Sequence, residues 1–302
     1  AVLQLTQTVS GTDWFTVSAL TNITESFVAL STETAAQTIN AISSEDDAYY
    51  YFTAEDKSNT FVLAAAAEIE AKLKYYRTSV AEVGSYASTP TGTAADLLTY
   101  NYDSSSSFYH HEASTLFPEV AEIAEIAFNT TGTVTYANRI VKGISTSKNA
   151  DGRELTATQR GNLLKANIDY FARIGNAASD PIIAVVGKSA SGEWIDNIVT
   201  RDNMQVDIVA DFTDFLIQQK TSKVPYNEKG LNQARDVLAS TLDQYTTDGI
   251  HDFIEPDYVI TISNIGDIPN ADKAARILKQ ITFTAKLTGA IHMVEITGTL
   301  TL

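Results

Sequence analysis

Three segments near the front of the chain constrain its fold most. Ala48–Asp56, "AYYYFTAED", is short, aromatic and suited to a strand. Phe61–Tyr76, "FVLAAAAEIEAKLKYY", is Ala-rich and made of good helix formers. Tyr76–Val83, "YRTSVAEV", is β-prone again. Strand, helix and strand in that order make a βαβ unit, whose two strands lie parallel in one sheet. Asp13–Leu20, "DWFTVSAL", reads as a buried strand ahead of this unit, followed by a helix over about Thr34–Ile42.

Further along, Gly84–Phe108 is rich in Ser, Thr, Gly and Tyr and reads as a surface insertion. Pro118 opens a helix with Val120, Ile123 and Ile126–Ala127 on one face. Thr156 and Gln159 fit a capping box, in which each residue satisfies a backbone N–H of the other. The helix that follows is expected to bury Leu164, Ile168 and Phe171 and to end at Gly175. "PIIAVVG" is a short buried strand. Ile208, Phe212, Phe215 and Leu216, then Leu231, Ala234, Leu238 and Leu242, mark two more helices, the second ending at Gly249.

The chain closes on "YVITISN", a short helix "NADKAARILK", and two alternating segments. In the first, Ile281, Phe283, Ala285 and Leu287 alternate with Thr282, Thr284 and Lys286. In the second, Val294, Ile296, Leu300 and Leu302 alternate with Glu295, Thr297, Thr299 and Thr301. Gly289 supplies the turn between them. The reading is an α/β fold, with α+β as the alternative: a mixed sheet flanked by helices, and a C-terminal β-strand arm for pairing with another chain. The core domain spans residues 1–287, with the insertion at 84–108, and the arm spans 288–302. An unblunted terminal strand invites another chain to pair with it.

A chain of 302 residues, 44% of them hydrophobic, is ample for a packed core. Its formal net charge of −16 makes it a poor partner for nucleic acid. The absence of cysteine excludes disulfides, thiolate metal sites and cysteine nucleophiles. No apolar run approaches the ~20 residues that span a bilayer, so direct membrane insertion is not expected. Charge is uneven. Residues 1–70 are acidic with Lys57 as the lone base, whereas Lys273, Arg276, Lys279 and Lys286 form a basic run with no acid between them. That contrast suggests an acidic partner surface, against the plainer reading of a solvated helix face.

Candidate chemistry is sparse. Gly187-Lys188-Ser189 matches the end of a phosphate-binding loop, but the position that needs the first glycine holds Ile182. Ser145–Lys148, "STSK", has the spacing of a Ser/Lys nucleophile pair without the motifs that accompany it. His110-His111-Glu112 suggests a metal, although adjacent strand residues point to opposite faces. No catalytic, cofactor-binding or metal residue is assigned, and no cofactor is expected. An α/β enzyme of unknown substrate remains the alternative from another class.

The stretch "NADKAARILKQITFTAKLTGAIHMVEITGTL" resembles the C-terminal end of contractile tail sheath proteins of bacteriophages, in their sheath-like branch. The matching pieces are the Asp272–Arg276 helix, the Ile281–Leu287 strand, the Gly289–His292 turn and the Val294–Leu302 strand. Upstream, "GEWIDNIVTRDNMQVDI", "KVPYNEKGLNQARDVL" and "LLKANIDYFARIG" resemble further family segments in the same order, so the likeness runs from Asp13 to Leu302. Family members carry a further N-terminal region, so the chain resembles the C-terminal part of a longer sheath protein. The resemblance implies a subunit that polymerises as stacked rings around a tail tube, then contracts to drive the tube through the host envelope. The implied partners are other copies of the chain, the tail tube protein, the baseplate and the tail terminator. The implied place is the tail of a virion, after assembly in the host cytoplasm. Val294, Glu295, Ile296, Thr297, Thr299, Leu300 and Leu302 would form the assembly strand, and Lys273, Arg276 and Lys279 would face the tube. Another virion structural protein is a further alternative.

Overall fold

The computed structural model describes residues 33–175, 177, 179–219, 223–279 and 281–292. The strand expected at Asp13–Leu20 and the arm strand Val294–Leu302 lie outside these residues.

The first half builds the expected βαβ pattern. Helix α1 (Ala35–Glu45) starts at a capping box made by Thr34 and Gln37. Strand β1 (Tyr51–Phe52), helix α2 (Asn59–Glu70) and strand β2 (Tyr75–Val80) follow, and β1 pairs parallel with β2. Lys74 to Tyr76, expected at the end of the helix, instead join or abut β2. A 3-10 turn at Val83–Tyr86 and helix α3 (Thr93–Tyr100) lead to strand β3 (Ser105–Tyr109), parallel to β2.

The 84–108 stretch is therefore no surface insertion. It holds a crossover helix and most of a central strand, and every residue of β3 is buried. Serine competes for backbone hydrogen bonds in isolation and so reads as loop. Here the ladders on both sides satisfy that backbone, with Tyr76 opposite Ser105 and Phe108 opposite Asp169.

Helices α4 (Ala113–Leu116) and α5 (Pro118–Ile126) precede the two-residue strand β4 (Arg139–Ile140). Helix α6 (Ala157–Lys165) opens on the Thr156–Gln159 capping box, as its sequence predicts. It ends ten residues short of Gly175, because Asn167 takes a left-handed φ of 52° and turns the chain into strand β5 (Asp169–Arg173). Ile168 and Phe171 thus belong to the turn and the strand, and Leu164 is exposed while Leu163 is buried.

Strand β6 (Ile182–Val185) returns antiparallel to β5 and pairs with β4 on its other side. The sheet order is β1-β2-β3-β5-β6-β4, mixed and six-stranded. Alternate residues of a strand face opposite sides. Tyr76, Val80, Tyr109 and Tyr170 pack with α1, α2, α3 and α6 on one face. Tyr75, Phe108 and Phe171 pack with α4, α5 and the start of the next helix on the other.

That helix is α7 (Ile195–Gln218), followed by α8 (Glu228–Gln244). Leu231, Ala234, Leu238 and Leu242 are all buried, as the period predicts. Strand β7 (Val259–Ile262), helix α9 (Asn270–Ala275) and strand β8 (Ile281–Thr284) complete the described chain, and β7 and β8 form a separate antiparallel pair. Met204, Leu238, Leu242, Tyr245, Phe253 and Ile254 make the core beneath it. Leu242 has no exposed surface, so Leu242→Ala should cost about 2–5 kcal/mol in urea unfolding. Thr156→Ala should cost only about 1 kcal/mol, the value of one helix cap.

Candidate functional site

The sequence points to three places: the His110 region, the Gly187 turn and the C-terminal elements. The first two are closed to the chemistry they suggest. His110 follows β3 and is fully buried. Its ring lies 4.6 Å from that of His111, so the two do approach one another, contrary to the strand argument, because β3 has already ended at Tyr109. Together with Glu112 they form a potential ligand group. However, His110 Nδ1 accepts the Glu112 N–H at 3.1 Å, and Nε2 lies 3.1 Å from the Ser145 carbonyl oxygen. A carbonyl only accepts, so Nε2 carries the proton. Neither nitrogen has a lone pair to offer a metal, and burial lowers the pKa of the ring so that it stays neutral. The same tautomer prevents His110 from taking a proton from Ser145 Oγ, 3.3 Å away.

At the second place, Gly187 has φ 72° and its N–H donates to Asp169 Oδ1 at 2.8 Å. A Cβ there would lie 2.6 Å from the Ala137 nitrogen, so only glycine fits. An aspartate carboxylate thus occupies the donor that a phosphate would need. Lys188 lies over the Trp194 ring, 4.8 Å from its centroid.

Asp169 belongs to a buried charge cluster that sequence reasoning missed. Arg77 on β2 donates to Asp169 Oδ2 at 2.9 Å, to Ser106 Oγ at 2.8 Å and to the Glu122 carboxylate on α5. All three charged side chains are buried. One turn earlier on α5, Glu119 is buried against Lys57. The face of α5 that meets the sheet is therefore Pro118, Glu119, Glu122 and Ile126; of the expected stripe Ile126 is buried, whereas Val120 and Ala127 are exposed. The pull of the buried Arg77 and the partly buried Lys57 overrides the helix's apolar periodicity. Burial pushes Glu122 up to about 8 and Asp169 up to about 6, in both cases against the attraction of Arg77.

The third place is open. Among the described residues, Ile281 to Thr288 pair along one edge. Val259 to Ile262 face Thr284 to Ile281. Ile254 then bridges Leu287, and the Thr288 N–H donates to the Phe253 carbonyl at 2.9 Å. Among the described residues no strand covers the other edge of β8. Between β8 and α7 lies a groove of about 1060 Å³, lined by Met204, Ile208, Val209, Phe253, Phe283 and Leu287, with Asp103, Glu193 and Arg201 at its polar part. Phe283 and Leu287, which alternation assigns to a buried face, remain 39% and 49% exposed here.

Past Gly289, which has φ 69°, the chain reaches His292. The His292 ring packs edge-on against Trp194 at 4.1 Å, and its carbonyl accepts from Asn138 Nδ2 at 3.2 Å. Asn138 immediately precedes β4, the outer strand of the large sheet. The expected assembly strand itself, Val294 to Leu302, lies outside the described residues. The basic run is less isolated than its sequence suggests. Lys279 pairs with Asp272 at 2.7 Å, Lys286 with Asp257 at 2.8 Å, and Lys273 donates to the Ile265 carbonyl at 2.7 Å. Arg276 caps α9 in a left-handed conformation with its side chain exposed.

The fold is thus a mixed α/β sheet with helices on both faces and a small antiparallel sheet attached through α7. The sequence matches no known family profile and no curated protein. The structure is similar to a chain in a cryo-electron microscopy structure of the anti-feeding prophage baseplate, six-fold symmetrised. The TM-score is 0.60 at 12% identity, over 89% of this chain and 73% of that chain. At that identity the likeness is one of fold.

Two outcomes test this picture. Asp169→Ala leaves Arg77 and the Gly187 N–H short of a partner and should cost about 3–5 kcal/mol in denaturant unfolding. Zinc or nickel should leave the melting temperature unchanged, because a ligand that binds the folded state would raise it.

Proposed function

We propose that this chain is a structural subunit of a contractile, tail-like apparatus, in the sheath that polymerises around a tail tube and shortens to drive it through an envelope. The observation that carries the reading is the edge of β8 that no strand covers among the described residues, beside an apolar groove, in a fold similar to a chain of the anti-feeding prophage baseplate. A free strand edge next to an apolar cleft suits strand addition, where main-chain hydrogen bonds give strength and alternate side chains give specificity. Val294, Ile296, Leu300 and Leu302 have the alternation that such a donor strand needs. A donor on one copy and an acceptor edge on the next is a heterologous contact, which builds rings or helical assemblies rather than closed dimers. Such a joint also survives rigid-body motion of the subunits it links. In this reading the chain acts by assembly and motion, without catalysis, and works within a tail particle.

A second reading is favoured by the neighbour's own setting: a baseplate component of the same kind of apparatus. Electron microscopy of the purified protein separates the two. A sheath subunit should form stacked rings or tubes, and a baseplate component should not extend into tubes.

Removing Val294–Leu302 should leave a monomer that melts normally and forms no tubes by sedimentation or electron microscopy. Normal polymers from the truncated chain would defeat the strand-addition reading. Tube contact through Lys273, Arg276 and Lys279 is proposed from charge alone. Reversing all three to Glu should weaken co-sedimentation with tail tubes, and salt should weaken the wild-type contact in the same assay.

A further inference from the structure

The buried cluster under α5 has an unbalanced charge. Arg77 carries one positive charge, while Glu122 and Asp169 offer two carboxylates, and all three side chains are shut off from water. Asp169 is well supplied, with an Arg77 N–H on one oxygen and the Gly187 N–H on the other. Glu122 is not. One oxygen meets Arg77, and Oε1 has no hydrogen-bond partner among the described residues. An ionised oxygen left bare in the interior costs far more than a neutral hydroxyl.

The other groups facing Glu122 do not correct the balance. Burial raises the pKa values of Tyr75 on β2, Tyr51 on β1 and Tyr136 ahead of β4, so these phenols stay un-ionised and bring no charge. Arg139 on β4 is partly exposed, and its Nε donates to the Thr135 carbonyl at 3.0 Å. It acts on Glu122 only through space. On β3 the facing residues are Ser106 and Phe108, neither of which titrates in the physiological range. Glu119 is spoken for by Lys57.

On its docked face α5 thus holds two carboxyl groups, Glu119 and Glu122, beside the apolar contacts of Pro118, Ala121 and Ile126. Its outward face carries Val120, Ala124, Ala127 and, just beyond its end, Phe128, all exposed. We infer that Glu122 holds α5 to the sheet in its neutral, protonated form, so that α5 is a latch released by loss of one proton. Releasing the helix hydrates Glu122 and lets it ionise, so undocking and proton release are one event.

The sign follows from that coupling. Burial pushes the docked carboxyl up to about 8, whereas a hydrated glutamate titrates near its ordinary value of 4.5. The α5 opening constant should therefore grow about tenfold per pH unit between those values and level off above the upper one. Hydrogen exchange of residues 118–126, corrected for intrinsic rates and followed from pH 6.5 to 8.5, reads this directly. Protection of α5 should fall with pH while that of α8 stays constant. In Glu122→Gln, an uncharged mimic of the protonated side chain, α5 protection should not vary with pH. Protection that is flat in the wild-type protein, or that falls equally in both proteins, overturns the inference. Should Glu122→Gln fail to fold, the wild-type infrared spectrum decides alone. A neutral-carboxyl stretch present at pH 7 and lost by pH 9 is expected, and its absence at pH 7 overturns the proposal.

Discussion

One guanidinium organises the larger part of this molecule. Arg77 projects from the middle of β2 and is wholly buried. It reaches Ser106 on β3, Asp169 on β5 and Glu122 on α5, and its face lies 4.4 Å from the centre of the Phe108 ring. Asp169 in turn fixes the Gly187 turn, which leads through Trp194 into α7. An isolated buried charge is very costly, so each of these partners is required by the one before it. The serines of β3 fit this arrangement. They are small enough to leave room for a guanidinium, and the Ser106 hydroxyl oxygen accepts a hydrogen bond from it.

The second organising element is α7. Its first turns put Ile195, Ile198 and Val199 into the core beneath the large sheet. Further along, Met204, Ile208 and Phe212 join the core beneath β7 and β8. A single continuous helix therefore ties a two-faced sheet to a small sheet with one edge that no strand covers among the described residues. That division suits a subunit that must be rigid in itself and yet join others through exposed strands, which is the role proposed for it. Its far half also carries exposed Val209, which lines the groove that β8 completes.

Much of this was legible from local pattern. The alternation of helix and strand from α1 to β2, the Thr156–Gln159 cap, the Leu231–Leu242 stripe and the closing β7-α9-β8 series all appear as read. What failed did so for one reason: the deciding partner was distant in sequence. Nothing near Ser105 reveals that Tyr76 and Asp169 flank it, so a serine run looks like loop. Nothing near Val120 reveals that Arg77 and Lys57 wait beneath Glu122 and Glu119. At β5, Ile168 and Phe171 keep helical spacing with Leu164, and only pairing with β3 and β6 makes the segment a strand. The open groove left a partial signal in the alternation of Ile281 to Leu287, which marked an apolar face without saying that its cover is incomplete.

By itself the sequence determined the order of the elements, the class of the fold, the helix start at Thr156 and the acidic character of the surface. These depend on residues a few positions apart, where hydrogen bonds and side-chain periodicity act directly. Only the tertiary structure decided that α5 buries its acids and exposes its valine, that the serine strand is central, that His110 spends both nitrogens on its neighbours and that, among the described residues, one edge of β8 has no partner strand. Each of those depends on which distant charge or backbone group is brought within hydrogen-bonding distance, and a buried charge outweighs the local preference of the segment that must answer it.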